Sequence, residues 1–245
     1  MLFSQAGLLL TTFLSTTVLA APTEDAFRGI GWGVNRGHNW GRTAIPQSCN
    51  TAAVQMPQAP QPLPPPTAGL TLYHVALGRG TQNYTCDQTN TTSIPVAAGA
   101  VASLWNVTCL SADSPSLLSA IPNIALALPV PQPNSPTAYN ALSGHHYFSD
   151  ATTAYFDLDT ALGEYGRGGF KKVNATPAPS DAVKGQRGQG YGSVPWLKLV
   201  GKGDEGCEAK EIYRINTAGG NPPKTCAGMG KTFEVEYSAE YWFYA

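Results

Sequence analysis

The sequence predicts an all-β fold, an antiparallel β-sandwich or flattened barrel with one short helix and long loops, and three observations carry that prediction. The last stretch, residues 232–244, alternates strictly: Phe233, Val235, Tyr237, Ala239, Tyr241 and Phe243 share one parity, while Glu234, Glu236, Ser238 and Glu240 share the other. That is the period of a strand with one buried and one wet face. Charged residues are only 13% of the chain, against 26 Gly and 20 Pro, which suits a turn-rich extracellular β protein. Short apolar runs are also separated by turn chemistry such as G-E-Y-G-R-G-G, A-P-A-P-S and G-Q-R-G-Q-G-Y-G.

In chain order, residues 1–20 read as a signal peptide. An apolar centre around Leu8-Leu9-Leu10 leads to Val18-Leu19-Ala20, with small residues placing cleavage after Ala20. No other segment is long and apolar enough to span a bilayer, so the mature chain is expected to be secreted, extracellular, with the cell wall as one location. Residues 21–66 form a Gly/Trp-rich arm and a Pro-rich linker, and residues 67–245 a single β-rich domain. Leu70–Leu77 begins the alternation, Gly78-Arg79-Gly80 reads as a turn, and Thr81–Cys86 as the returning strand. Parity places Tyr84 and Cys86 inward, and likewise Trp105, Val107 and Cys109, with Asn106 outward. Ser114 and Pro115 are the N-cap and first residue of the one short helix. Further strands are expected at 145–149, 154–158, 170–173, 194–200 and 211–216. A strand as long as 232–244 calls for a bulge or bend near Ser238.

Sequons at Asn83, Asn90, Asn106 and Asn174 mark glycosylation positions of an exported chain. The five cysteines, Cys49, Cys86, Cys109, Cys207 and Cys226, have no finger spacing and read as two disulfides plus one thiol. Proximity alone points to Cys86–Cys109 and Cys207–Cys226. A net charge of −1 gives no electrostatic case for nucleic acid.

Five motifs in order, G-R-G-T-Q-N-Y-T-C (78–86), G-H-H-Y-F (144–148), V-P-W-L-K-L (194–199), Y-R-I-N-T-A-G-G-N-P-P-K-T-C (213–226) and V-E-Y-S-A-E-Y-W-F-Y (235–244), are familiar together. The chain resembles the domain-of-unknown-function 3455 family of exported fungal and bacterial proteins. The resemblance implies a single secreted or cell-surface β-rich domain and no established activity. It singles out Cys86 and Cys226 as positions shared with the bacterial branch, implying that they pair. Cys49 would then pair with Cys109, leaving Cys207 free.

Chemistry-bearing patterns are incomplete. Some fungal members carry a dehydrogenase-like label, but G-I-G-W-G-V and G-Q-G-Y-G-S neither complete the dinucleotide turn nor precede a helix, so a nicotinamide enzyme is disfavoured and no cofactor is expected. No G-x-S-x-G elbow exists, although Ser193 and His146 could converge in space. His145, His146 and Asp150, with His38 or His74, could ligate a metal only if alternation did not part the adjacent histidines, so no metal site is expected. Asp157, Asp159, Glu234, Glu236 and Glu240 are carboxylates of the kind glycosidases pair. What remains is a set of aromatic and polar groups near strand ends: Tyr84, His146, Tyr147, Trp196, Lys198 and Arg214, with Tyr241 and Trp242. Rings with a few hydrogen-bonding groups hold sugars, and rings also build ordinary cores. The reading is a non-catalytic structural or ligand-binding module, with a cell-wall polysaccharide or another extracellular component as partner. The alternative is a secreted hydrolase, carbohydrate-active or esterase-like, whose site assembles only in three dimensions.

Overall fold

A computed structural model describes residues 49–130, 142–204 and 206–245, all within one compact unit spanning 42–245. The signal peptide and residues 21–48 of the arm lie outside the described residues. Eight strands, β1 (Leu72–Thr85), β2 (Val96–Asn106), β3 (Leu142–Phe148), β4 (Ala154–Thr160), β5 (Gly163–Thr176), β6 (Trp196–Gly201), β7 (Glu211–Gly219) and β8 (Thr232–Tyr244), pair antiparallel with their chain neighbours. β8 then pairs back onto β1 from Thr85↔Thr232 to Leu72↔Tyr244, and the barrel is closed. Closure removes both sheet edges. Two helices, α1 (Thr108–Asp113) and α2 (Pro115–Ala127), follow β2. Among the described residues no helix is long and apolar enough to cross a membrane.

The inward parity of β8 packs with Ala76, Leu104, Phe156, Phe170 and Ile212 in the barrel interior. Its outward parity is wet only at its start: Ser238 and Glu240 are fully buried beneath α2, where sequence alternation alone marked a solvated face. Gly78-Arg79-Gly80 is no turn. It lies mid-strand in a continuous β1, because both glycines face inward where a side chain has no room. A Cβ on Gly78 would strike the Tyr241 ring, and one on Gly80 the β2 backbone at Val101 and Ala102. Arg79, between them, faces outward and is 1% exposed. Its guanidinium donates to the Ala125 (2.9 Å) and Leu128 (3.0 Å) carbonyls at the end of α2 and ion-pairs with Glu236. A cation at a helix C-terminus satisfies orphan carbonyls and the helix dipole together.

Trp105 and Asn106 have the opposite orientation to the parity expectation. Trp105 lies outside, lining one cavity with Leu77, Ile121 and Leu128, while the Asn106 amide donates to the Tyr165 hydroxyl (2.9 Å). The short helix is present, longer than expected, with Pro115 in its first turn but no side-chain cap bond from Ser114. The irregularity expected in β8 sits instead on its partner. β7 bulges between Ile215 and Ala218, and Asn216, at φ 48°, turns its amide to the Ser119 carbonyl (2.8 Å) and Glu240 (2.7 Å).

A second apolar cluster lies on the outside of the barrel. Val75, Trp196, Tyr213, Ile215 and Trp242 face out and are covered by Leu118 of α2 and by Met56, Ala59 and Leu63 of a strap formed by residues 49–67. Disulfide Cys49–Cys109 fixes one end of the strap to α1, and Cys86–Cys226 joins the residue after β1 to the approach of β8. Cys207 is a free thiol. The other end of the strap is held by a buried ion pair, Lys198–Glu211 (3.1 Å). Lys198 also donates to the Pro65 carbonyl (2.8 Å), Tyr213 to that of Pro64 (2.8 Å), and the Thr67 hydroxyl to Glu211 (2.6 Å).

Removing one member of such a pair strands the other in a dry site. Lys198→Met is expected to lower stability by about 3–5 kcal/mol in urea denaturation, with Lys198→Met/Glu211→Leu recovering most of it. Burial pushes the Glu211 carboxyl up, but bonds from Thr67 and Lys198 outweigh it and hold the group below its ordinary value. The stabilisation is therefore complete above the ordinary glutamate range and is lost as pH falls through the lower folded value. Proteolysis within 57–67 should accelerate in acid, and Glu211→Gln should flatten that dependence.

Candidate functional site

Alternation inside a closed barrel stacks inward residues in layers, and two layers of this barrel are polar. One runs Tyr237–Gly80–Ala102–His146–Phe156–Gly168 around β8, β1, β2, β3, β4 and β5. The other runs Ala76–Tyr241–Arg214–Leu197–Ala175 around β1, β8, β7, β6 and β5. Glycine and alanine on β1 and β2 leave room for the large groups opposite. Gln82 and Tyr84 continue the inward parity of β1, each opposite an inward residue of β8.

Arg214 is the centre of this cluster. It is 8% exposed, and its Nη2 donates to the Pro195 carbonyl (3.0 Å). It also reaches the Tyr241 hydroxyl, which is paired at 2.8 Å with that of Tyr237. Its Nε has no partner, while the Gln82 amide lies against the Tyr237 hydroxyl. Among the described residues the ion pairs are Arg79–Glu236, Arg167–Asp159 and Lys198–Glu211, so no carboxylate answers Arg214. The His146 ring stacks on Phe156 (4.4 Å) and leans on Tyr241 (5.9 Å). Its Nδ1 sits 3.0 Å from the Tyr155 carbonyl, which can only accept, so Nδ1 carries the proton and Nε2 the lone pair. Burial first, and the Arg214 charge after it, bring its pKa down to about 4. Burial raises Tyr84 to about 12 despite the same cation, and lifts Tyr237 and Tyr241 as well. At neutral pH the cluster is thus one cation among neutral hydroxyls, an amide and a neutral imidazole.

Of the residues singled out in the sequence, Tyr84, His146, Arg214 and Tyr241 face the interior together. The other four face out. Trp196 and Trp242 pack beneath the strap and α2, and Lys198 serves the strap. Tyr147, 38% exposed, pairs with Tyr155 on the outer sheet (5.3 Å). Alternation decides this division, since residues 196 and 198 share a parity that β7 also turns outward at Tyr213. Gln82 and Tyr237 were missed, although an amide and a phenol on inward parities were the available signal.

The other candidates separate. His145 is exposed while His146 is buried, and His74 is held by the hydroxyls of Thr108 (3.0 Å) and Ser143 (3.1 Å). His38 lies outside the described residues. Among the described residues no three His, Cys, Asp or Glu side chains gather as a metal site requires. Ser193 donates to the Val183 carbonyl (2.6 Å) and accepts from the Gly219 amide, not from His146. Asp159 pairs with Arg167 (3.3 Å), Glu236 with Arg79, and Glu240 bonds Asn216 and Trp242 under α2.

The His146–Arg214 coupling has a direct readout. NMR titration of the ring should place His146 near pKa 4 in the native protein and higher in Arg214→Gln, because the variant removes the charge that opposes protonation. An unmoved value would mean that the two groups do not share a site.

No curated protein and no solved structure matches the chain. A family model described as a protein of unknown function matches residues 66–245, which takes in all eight strands of the barrel together with the interior cluster. On that match, carried by the barrel domain itself, the chain belongs to the DUF3455 family.

Proposed function

We propose that this protein is an exported, non-catalytic barrel that binds a small polar ligand through the cluster around Arg214. The observation that carries this reading is a guanidinium nine-tenths buried inside the barrel with no carboxylate partner among the described residues and an unbonded Nε. A buried charge without a counter-charge costs stability, and interiors retain one where a ligand completes it. Binding without turnover is supported by the surroundings of His146. Its Nδ1 proton is committed to the Tyr155 carbonyl, and its low pKa makes it a weak base at neutral pH. Export is supported by the leader-like residues 1–20 and by two disulfides that suit an oxidising compartment.

The test is a thermal-shift screen of saccharides, organic acids and amines on the secreted protein, run beside a hydrolase panel. A ligand at 100 times its Kd adds about 2.7 kcal/mol, a rise in Tm on the order of 5 °C. At least one class should produce that rise in the native protein and not in Arg214→Gln, with no hydrolysis. Turnover of any panel substrate that depends on His146 would replace this reading with the hydrolase one.

Export has its own readout in the mass spectrum of the mature protein, whose first residue should be Ala21. Asn90 and Asn174 are exposed, and Asn83 is half-buried on the outer face. Asn106 is committed through Nδ2 to Tyr165 and through Oδ1 to the Thr108 amide. Glycans are expected at Asn90 and Asn174 and absent from Asn106.

A further inference from the structure

We propose that the ligand of this cluster carries a single carboxylate, taken by Arg214 and the adjoining Tyr237–Tyr241 hydroxyl pair, with Gln82 behind Tyr237. The inference rests on the binding reading above and names its chemistry. Hydrogen-bond sign comes first. Among the described residues the buried side-chain atoms without a partner include Arg214 Nε and Trp196 Nε1, and Trp196 lies outside the barrel. Arg214 Nε is thus an unpaired N–H donor of the interior, and Gln82 Nε2 is turned to the Tyr237 hydroxyl. The hydroxyl pair adds another: with Arg214 donating to Tyr241 and Tyr241 to Tyr237, the Tyr237 proton is left to donate onward. A site with surplus donors wants a ligand that only accepts, which describes an ionised acid and not a neutral sugar, whose hydroxyls bring a donor with each acceptor.

Charge and shape narrow the class. Among the described residues the buried cations are Arg79, Lys198 and Arg214, and Lys198 and Arg79 point outward to Glu211 and Glu236, so one negative charge balances the buried cation of this interior. The flat guanidinium edge bearing the free Nε matches a planar two-oxygen acceptor. The Tyr237–Tyr241 hydroxyl pair, which Arg214 meets at Tyr241 and Gln82 at Tyr237, offers the second donor. The interior stack reaches the surface at the rim above His146: Phe148, on the same parity and 5.7 Å from it ring to ring, is 37% exposed, and Ala175, in the Arg214 layer, is also exposed. The carboxylate can belong to a free small acid or to a uronic acid of a saccharide, and the recognising chemistry is the same.

The experiment reads the His146 ring resonances, present in every variant, of the full secreted protein by NMR during titration with sodium formate, sodium glucuronate, glucose and sodium chloride at constant ionic strength. The expected result is a saturable shift with formate or glucuronate, at least tenfold weaker in Arg214→Gln and Arg214→Lys and unchanged in His145→Ala on the outer face. Saturation by formate alone assigns a free acid, and tighter saturation by glucuronate assigns a sugar acid. A saturable glucose response without one to either acid overturns the carboxylate and leaves the binding reading standing. Chloride acting as strongly as formate means an adventitious ion only and overturns it as well. If no probe saturates in the native protein, whose fold is not in question, both the class and the binding reading fall.

Discussion

The barrel closes because β1 packs closely against β8 along its whole length and against β2 on its other side, and those approaches depend on two residues without side chains. At Gly78 the Tyr241 ring lies where a Cβ would be, and at Gly80 the neighbouring β2 backbone does. An eight-stranded barrel is just wide enough for its side chains to fill it. The large rings of β8 therefore need a thin wall opposite, which Ala76, Gly78, Gly80, Ala100 and Ala102 supply. The pairing continues past β1, where the Cys86 amide donates to the Lys231 carbonyl (2.9 Å), and Cys86–Cys226 locks the same end. A bridge across 140 residues removes about 5 kcal/mol of unfolded-chain entropy in the chain-entropy picture.

Polarity is partly inverted around this seam. Outside it, Val75, Trp196, Tyr213, Ile215 and Trp242 form a second core that needs a cover, and the strap and α2 provide one. Inside sit Arg214, His146, Gln82 and the tyrosines. The covers are attached through charged and amide groups that look like surface residues in sequence: Arg79 holds the end of α2, Asn216 its middle, and Lys198 with Glu211 the strap. Burying such groups is tolerable because each has several partners.

That inversion explains what the sequence did and did not reveal. β8 was legible because its inward parity is uniformly apolar or aromatic over its full length. Arg79 and the glycines beside it were not, since G-R-G is turn chemistry unless a Tyr four residues from the chain end leans across it, a contact 163 residues away. The orientation of Trp105 was unreadable for the same reason: an outward Trp is plausible only once α2 is known to lie over it. Within the site, Tyr84, His146 and Arg214 stood out as polar or aromatic groups near strand ends. Their union in one interior, and the exclusion of Lys198 and Trp196, depended on the parity of β6 relative to β7, and sequence periodicity cannot state register across strands.

The site and the seam also share residues. Gln82 and Tyr84 belong to β1, Tyr237 and Tyr241 to β8, and Arg214 to β7, so the chain of contacts Gln82–Tyr237–Tyr241–Arg214 crosses the closing strand from β1 to β7. A ligand accepting from Arg214 and the hydroxyl pair would tie β7 to β8 along that chain. Its binding free energy would then add directly to closure, since the opened barrel holds no such set of donors. Arg214 by itself works the other way, since it sets a buried cation with no carboxylate partner among the described residues next to the closing strand. The disulfide beyond the rim and the cover over the outer face stabilise closure independently of occupancy. That division lets the interior keep a charge that an ordinary barrel of this size would replace with a leucine.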